Sequence, residues 1–155
     1  MKTIAETEKE IISDFELFDD WTEKYQYIIE LGQKLPPLDD AYKTDDRKIK
    51  GCQSSVWLHA FEKDGRIFFE SDSDSTFVKG EIALLIRVLS GRLPGEIIAT
   101  DLSFIDAIGL RQHIAVTRYH FFAACWWPKD LFFLARDAIN PSMPLFWISL
   151  LKLLR

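Results

Sequence analysis

The side chains best suited to thiol chemistry are two cysteines, and they sit in opposite surroundings. Cys52 lies in Lys48-Ile-Lys-Gly-Cys-Gln-Ser-Ser-Val-Trp57. The glycine before it permits an unusual backbone angle or the close approach of another chain. Gln53, Ser54 and Ser55 are polar, so the segment reads as a loop feeding a strand. Lys48 and Lys50 favour the thiolate, the form that attacks sulfur. Gly51 can act as a hinge, and Val56 with Trp57 is expected to wall the cysteine on its apolar side. The other reading is a small core cysteine, since free cysteine is among the most buried residue types. The residues by themselves leave both open. Cys125, in Phe121-Phe-Ala-Ala-Cys-Trp-Trp127, has no cation within three residues and reads as inert packing.

The remaining chemistry-bearing residues say less. His59, His113 and His120 share no i, i+4 spacing and no HExxH context. A Cys52–His pair, as in a thiol hydrolase, stays open because such partners meet in space rather than in sequence. Asp39-Asp40, Asp45-Asp46 and the Asp72/Asp74 pair read as turn and solvation residues rather than metal ligands. Two cysteines are too few for a Cys₄ zinc or iron–sulfur site built by one chain. There is no glycine-rich phosphate loop.

These residues need elements to hold them. Thr3 and Glu6 stand in capping-box spacing, and Ile4, Ile11, Phe15 and Phe18 return on one helical face. A second helix starts at Asp20, carries Trp21, Tyr25, Ile28, Leu31 and Leu35 inward, and stops at Pro36-Pro37. Leu38 to Lys48, with four acidic and three basic residues, reads as a solvated loop. Val56–Phe61 and Arg66–Glu70 are rich in β-branched and aromatic residues, and Lys63-Asp64-Gly65 supplies hairpin turn chemistry. Thr76 is the expected cap of a helix carrying Phe77, Val78, Ile82, Leu85 and Leu89, with Gly91 at its C-terminal end. Pro94 opens a short helix, and Ser103 with Asp106 offers a capping box for Phe104 to Leu110. Helices, then a hairpin, then helices predict a single α+β domain with helices against an antiparallel sheet.

The chain has 155 residues, 48% of them hydrophobic, and a net charge of −5. That suffices for one domain with a real core and argues against nucleic acid as the main partner, because such binding rests on phosphate neutralisation by Lys and Arg. Charged residues precede any sustained apolar run, and the longest apolar stretch near the C-terminus falls far short of the ~20 residues that span a bilayer. The expectation is a cytoplasmic protein with no membrane association. After Arg118 the composition shifts. Residues 119–155 hold nine aromatics and two acids in 37 positions, whereas the first 118 hold twelve and 22.

Several blocks in order resemble the SufE family, whose members accept sulfur from a cysteine desulfurase. Trp21-Thr-Glu-Lys-Tyr-Gln-Tyr-Ile-Ile-Glu-Leu-Gly-Gln-Lys-Leu-Pro36 is similar to the family's N-terminal helical signature. Lys50-Gly-Cys-Gln-Ser-Ser-Val-Trp57 resembles the segment of its sulfur-accepting cysteine. Asp72-Ser-Asp and Val78-Lys-Gly80 resemble the block that opens its central helix, and Gly109-Leu-Arg-Gln-His113 with Thr117-Arg118 resembles its later His-Leu-Ser-Pro-Thr-Arg stretch. The similarity covers about residues 1–118. Two departures stand out: Ala115-Val116 replaces the usual Ser-Pro, and an aromatic tail follows Arg118 where the family continues into a polar amphipathic helix. A reading-frame change or a divergent tail would each produce this.

The resemblance implies an α+β fold like that of IscU-type scaffolds, with an antiparallel sheet and helices packed on one face. It implies an accessory sulfur-transfer protein with Cys52 as the persulfide carrier and no bound cofactor. The partners would be a SufS-type cysteine desulfurase, which uses pyridoxal phosphate, and an iron–sulfur scaffold of the SufBCD type. The chain lacks the three cysteines of an IscU-type scaffold, so cluster building is not expected. The rival expectation is a non-catalytic protein-interaction module in which Cys52 is structural.

Overall fold

A computed structural model describes residues 2–49 and 54–113. The tail 119–155, with Cys125 and His120, lies outside the described residues, and so do Ala115, Val116, Thr117 and Arg118.

Helix α1 spans Ile4–Glu16, and its start is the capping box expected from Thr3 and Glu6. The Glu6 amide donates to Thr3 Oγ1 at 3.2 Å, and the Thr3 amide donates to Glu6 Oε2 at 2.7 Å. Helix α2, Trp21–Lys34, is capped by Asp20, whose Oδ1 accepts the Glu23 amide at 2.9 Å. The apolar stripes of both face inward, with Ile11, Phe15 and Ile28 fully buried. Strand β1 (Val56–Lys63) and strand β2 (Arg66–Ser73) form the predicted antiparallel hairpin in the register Val56↔Ser73 to Lys63↔Arg66. Its two-residue turn has Asp64 at φ 54° and Gly65 at φ 74°, the left-handed pair that matches strand twist.

Helix α3, Thr76–Leu89, is the central element. Ser75 rather than Thr76 caps it, accepting the Val78 amide at 3.4 Å; Thr76 is already its first helical residue. Gly91 follows at φ 75°, as expected, but its N–H crosses to Ile67 O at 2.7 Å and docks residues 91–92 on the edge of β2. Helix α4 spans Pro94–Ala99, where the Glu96 carboxylate accepts the Leu93 amide at 2.8 Å. The expected helix from Phe104 to Leu110 is two short ones, α5 (Phe104–Ala107) and α6 (Leu110–His113). Gly109 at φ 75° separates them. Ser103 makes no side-chain cap either; its amide instead donates to Asp101 Oδ1 at 3.1 Å.

The core lies between the sheet and the helices, so the fold is α+β as expected. Strand residues alternate between faces: Val56, Leu58, Ala60, Ile67 and Phe69 are buried in the core, while Trp57, His59, Phe61 and Phe68 stay partly exposed on the other face. Helices α2 and α3 approach until their backbones nearly touch. A Cβ on Gly80 would overlap the Ile28 carbonyl oxygen, and one on Gly32 would stand 2.6 Å from the Gly80 amide nitrogen.

The stretch Leu38–Lys48 is largely exposed, as its charges suggest, but it is pinned to the fold at several points. Leu38 is buried, Asp40–Tyr42 forms a 3₁₀ turn capped by Asp39, and Lys48 pairs with Trp57 at the edge of β1. Of its charges only Arg47 and Lys48 lie on the leg that pairs with β1, and the buried apolar residues of this region, Leu38 and Ile49, are too few to give a readable period.

Candidate functional site

Cys52, with Lys50, Gly51 and Gln53, lies outside the described residues; the frame on either side of it is well defined. On the leading side, Leu58 N–H donates to Arg47 O at 3.2 Å and Ile49 N–H donates to Val56 O at 2.8 Å. Residues 47–49 therefore add an antiparallel leg to β1, and segment 50–55 starts and ends at a bonded pair. On the trailing side Asp74 grips Ser55 twice. Its Oδ1 accepts the Ser55 amide at 3.0 Å, and its own amide donates to Ser55 O at 3.2 Å. Cys52 is three residues from Ile49 and three from Ser55, so both anchors fall close to it along the chain.

Asp72, two residues before that grip, is held by Lys43 Nζ at 3.0 Å and Lys79 Nζ at 2.8 Å. Burial pushes its carboxyl up, but the bonds from Lys79, Lys43 and the Ser73 amide outweigh burial and hold it below the ordinary carboxylate range. The pair read from sequence as turn and solvation residues is thus a brace: Asp72 joins the 3₁₀ turn, β2 and α3, and Asp74 fixes the end of the cysteine segment.

Val56 and Trp57, expected to wall the cysteine, lie on opposite faces of β1, and Cys52 itself is outside the described residues. Neighbouring strand residues point to opposite faces; Val56 is in the core at 0% exposure, and Trp57 lies on the outer face. Lys48, read as a cation for the thiol, stands with Nζ 5.8 Å from the Trp57 ring centroid, where the ring quadrupole attracts it.

The outer face holds a cluster that sequence reasoning missed. His59 stacks on Tyr42, with ring centroids 3.8 Å apart and planes 8° from parallel. Arg47 lies over the Tyr42 ring at 5.0 Å, and its Nη1 is 2.8 Å from His59 Nδ1. Guanidinium only donates, so Nδ1 accepts and the imidazole is neutral, with its proton on Nε2. Burial first, and the Arg47 charge second, hold the His59 pKa below its ordinary value against the opposing pull of Glu70. The ring order continues through Phe61 and Phe68, 5.5 Å apart. The only sequence signal was the aromatic content of alternate strand positions; Tyr42 and Arg47 were assigned to a loop.

Residues 9–126 match the sequence profile of a family described as "SufE: Fe-S metabolism associated domain". The chain belongs to the SufE family. Its relatives include an uncharacterized SufE-like protein of Rhizobium meliloti, 38% identical over 114 residues that cover 70% of this chain and 81% of that protein. A SufE-like protein of Synechocystis is 35% identical, covering 70% of this chain and 68% of its own length. The chain also matches "SufE-like protein 1, chloroplastic/mitochondrial" of Arabidopsis thaliana, 37% identical over 71% of this chain and 30% of that protein. In structure it is similar to a hypothetical protein of Thermus thermophilus solved in solution, with a TM-score of 0.67, 20% identity and coverage of 85% and 95% of the two chains. That likeness bears on the fold. The family match places this SufE-family chain in Fe–S metabolism, and it runs eight residues past Arg118, where the motif resemblance ends. No described helix is long and apolar enough to cross a membrane.

Proposed function

We propose that this chain accepts sulfane sulfur from a cysteine desulfurase of the SufS type as a persulfide on Cys52 and delivers it to an iron–sulfur scaffold of the SufBCD type. The observation that carries the proposal is the bracing of segment 50–55 at both ends, by Ile49–Val56 and by Asp74–Ser55, in a chain of a family associated with Fe–S metabolism. A carrier thiol must present one sulfur to two successive partners, and fixed anchors with a short segment between them suit that task.

The donor is a persulfide on the desulfurase cysteine. The Cys52 thiolate attacks its outer sulfur, a new S–S bond forms on Cys52, the old S–S bond breaks, and the desulfurase thiolate leaves with the electron pair. No net oxidant is needed, and the rate depends on thiolate fraction, leaving-group acidity and access. The chain supplies a nucleophile and its presentation; pyridoxal phosphate belongs to the desulfurase, and the proposal needs no cofactor bound here. It places the chain in the cytoplasm as an accessory protein in one domain.

Stimulation of a SufS-type desulfurase by the wild-type chain and by Cys52→Ser tests this reading. The serine fits the same space but is a far poorer nucleophile toward sulfur, so stimulation is expected to vanish while the fold persists. Equal stimulation by both proteins contradicts it and favours an interaction module with a structural cysteine.

A further inference from the structure

The outer-face cluster includes Arg47, the first residue of the leading leg of the cysteine segment. We propose that Arg47 and His59 form a clasp that holds this leg on β1, and that proton uptake by His59 releases it.

The geometry supplies both halves. Arg47 is anchored through its backbone, since its carbonyl accepts the Leu58 amide at 3.2 Å, and through its side chain on His59 and Tyr42. The same residue therefore ties the leg by main chain and by side chain. Its bond to His59 Nδ1 exists only while that nitrogen carries a lone pair. A proton taken from solvent by Nδ1 forms an N–H bond there, removes the acceptor, and sets an imidazolium against a guanidinium.

The groups facing His59 decide how much of this repulsion survives. From the 3₁₀ turn comes Tyr42, stacked on the ring. From the leading leg come Arg47 and, over Trp57, Lys48. From β2 comes Glu70, paired across the ladder with His59, which favours the protonated ring. Asp72, two pairs along the ladder and on the same face, is already engaged by Lys43 and Lys79. Arg47 touches the ring directly and Glu70 only opposes it, so the neutral ring is preferred. A base whose folded pKa is depressed stabilises the fold above its unfolded value and loses that contribution as pH falls through the folded one. The clasp is thus closed near neutrality and opens only as the pH falls below the ordinary histidine range.

His59 is a positioning residue here; nothing in the clasp depends on what Cys52 carries. Amide hydrogen exchange on the full chain, expressed as protection relative to intrinsic rates, reads it directly. The reporters are the Leu58 and Ile49 amides, and ladder amides of β2 serve as internal reference. Between about pH 7.5 and about pH 5.5 the two reporters are expected to lose roughly five-fold protection against the reference, the effect of losing one net hydrogen bond. His59→Gln offers an acceptor that takes no proton, so its reporters should keep their protection at both values. Unchanged relative protection in the wild type overturns the clasp, and so does a His59→Gln protein with the same loss as the wild type. The wild-type comparison requires no substitution to fold. Because the readout is a backbone amide, its failure would leave the sulfur-acceptor reading standing, and the reverse holds too.

Discussion

Asp74 has the most direct hold on the cysteine segment, through two hydrogen bonds to Ser55. Asp74→Ala removes the side-chain bond and leaves the main-chain one. Alkylation of Cys52 in the folded protein is expected to accelerate several-fold, as for loss of a single net hydrogen bond; an unchanged rate would mean that the grip does not restrain the thiol. At this scale the sequence was legible where chemistry is local. Cys52 stood out by its lysines, glycine and serines within five positions. Arg47 and His59 did not, because their pairing spans 12 residues and depends on a register that no local pattern encodes. Val56 and Trp57 do not share a face for a simpler reason: adjacency along a strand puts two side chains on opposite sides.

At the scale of elements the critical contact is the crossing of α2 and α3. Gly80→Ala gains helix propensity of about 1 kcal/mol but places a methyl against the Ile28 carbonyl oxygen, a main-chain atom that cannot rotate aside. Overpacking of this kind costs about 1–3 kcal/mol, so the variant is expected to melt lower by several degrees. Gly95→Ala is the control. Nothing lies within 4 Å of a Cβ there, and that variant should melt at or above the wild type. The hairpin and α1 to α4 were readable because turn residues and apolar periods agreed with one another, even though the cap of α3 falls one residue earlier than expected, on Ser75. The leading leg was not, since three residues carry no period. The break at Gly109 was masked by an apolar pattern running through it from Phe104 to Leu110.

At the scale of the fold, the start of α1 is tied to the end of α3 through Arg92. Arg92, 6% exposed, donates from Nε to Val88 O at 3.0 Å, from Nη2 to Thr7 Oγ1 at 3.0 Å, and from Nη1 to Lys2 O. It pins the start of α1 to the end of α3 across more than 80 residues. A lysine cannot reproduce three divergent donors in a fork, so Arg92→Lys should destabilise by ~2 kcal/mol. A melting temperature unchanged from the wild type would show the fork to be dispensable. Expected from sequence as one α+β domain, the chain is α+β over the described residues, with 119–155 outside them. Whether Cys52 carries sulfur is decided by the mass of the Cys52 peptide after the full chain is incubated with a SufS-type desulfurase, free cysteine and pyridoxal phosphate, without reductant. A gain equal to one sulfur atom is expected on that peptide, reversed by a thiol reductant and absent from the Cys125 peptide. An unmodified Cys52 peptide, or a gain on Cys125 alone, would contradict it.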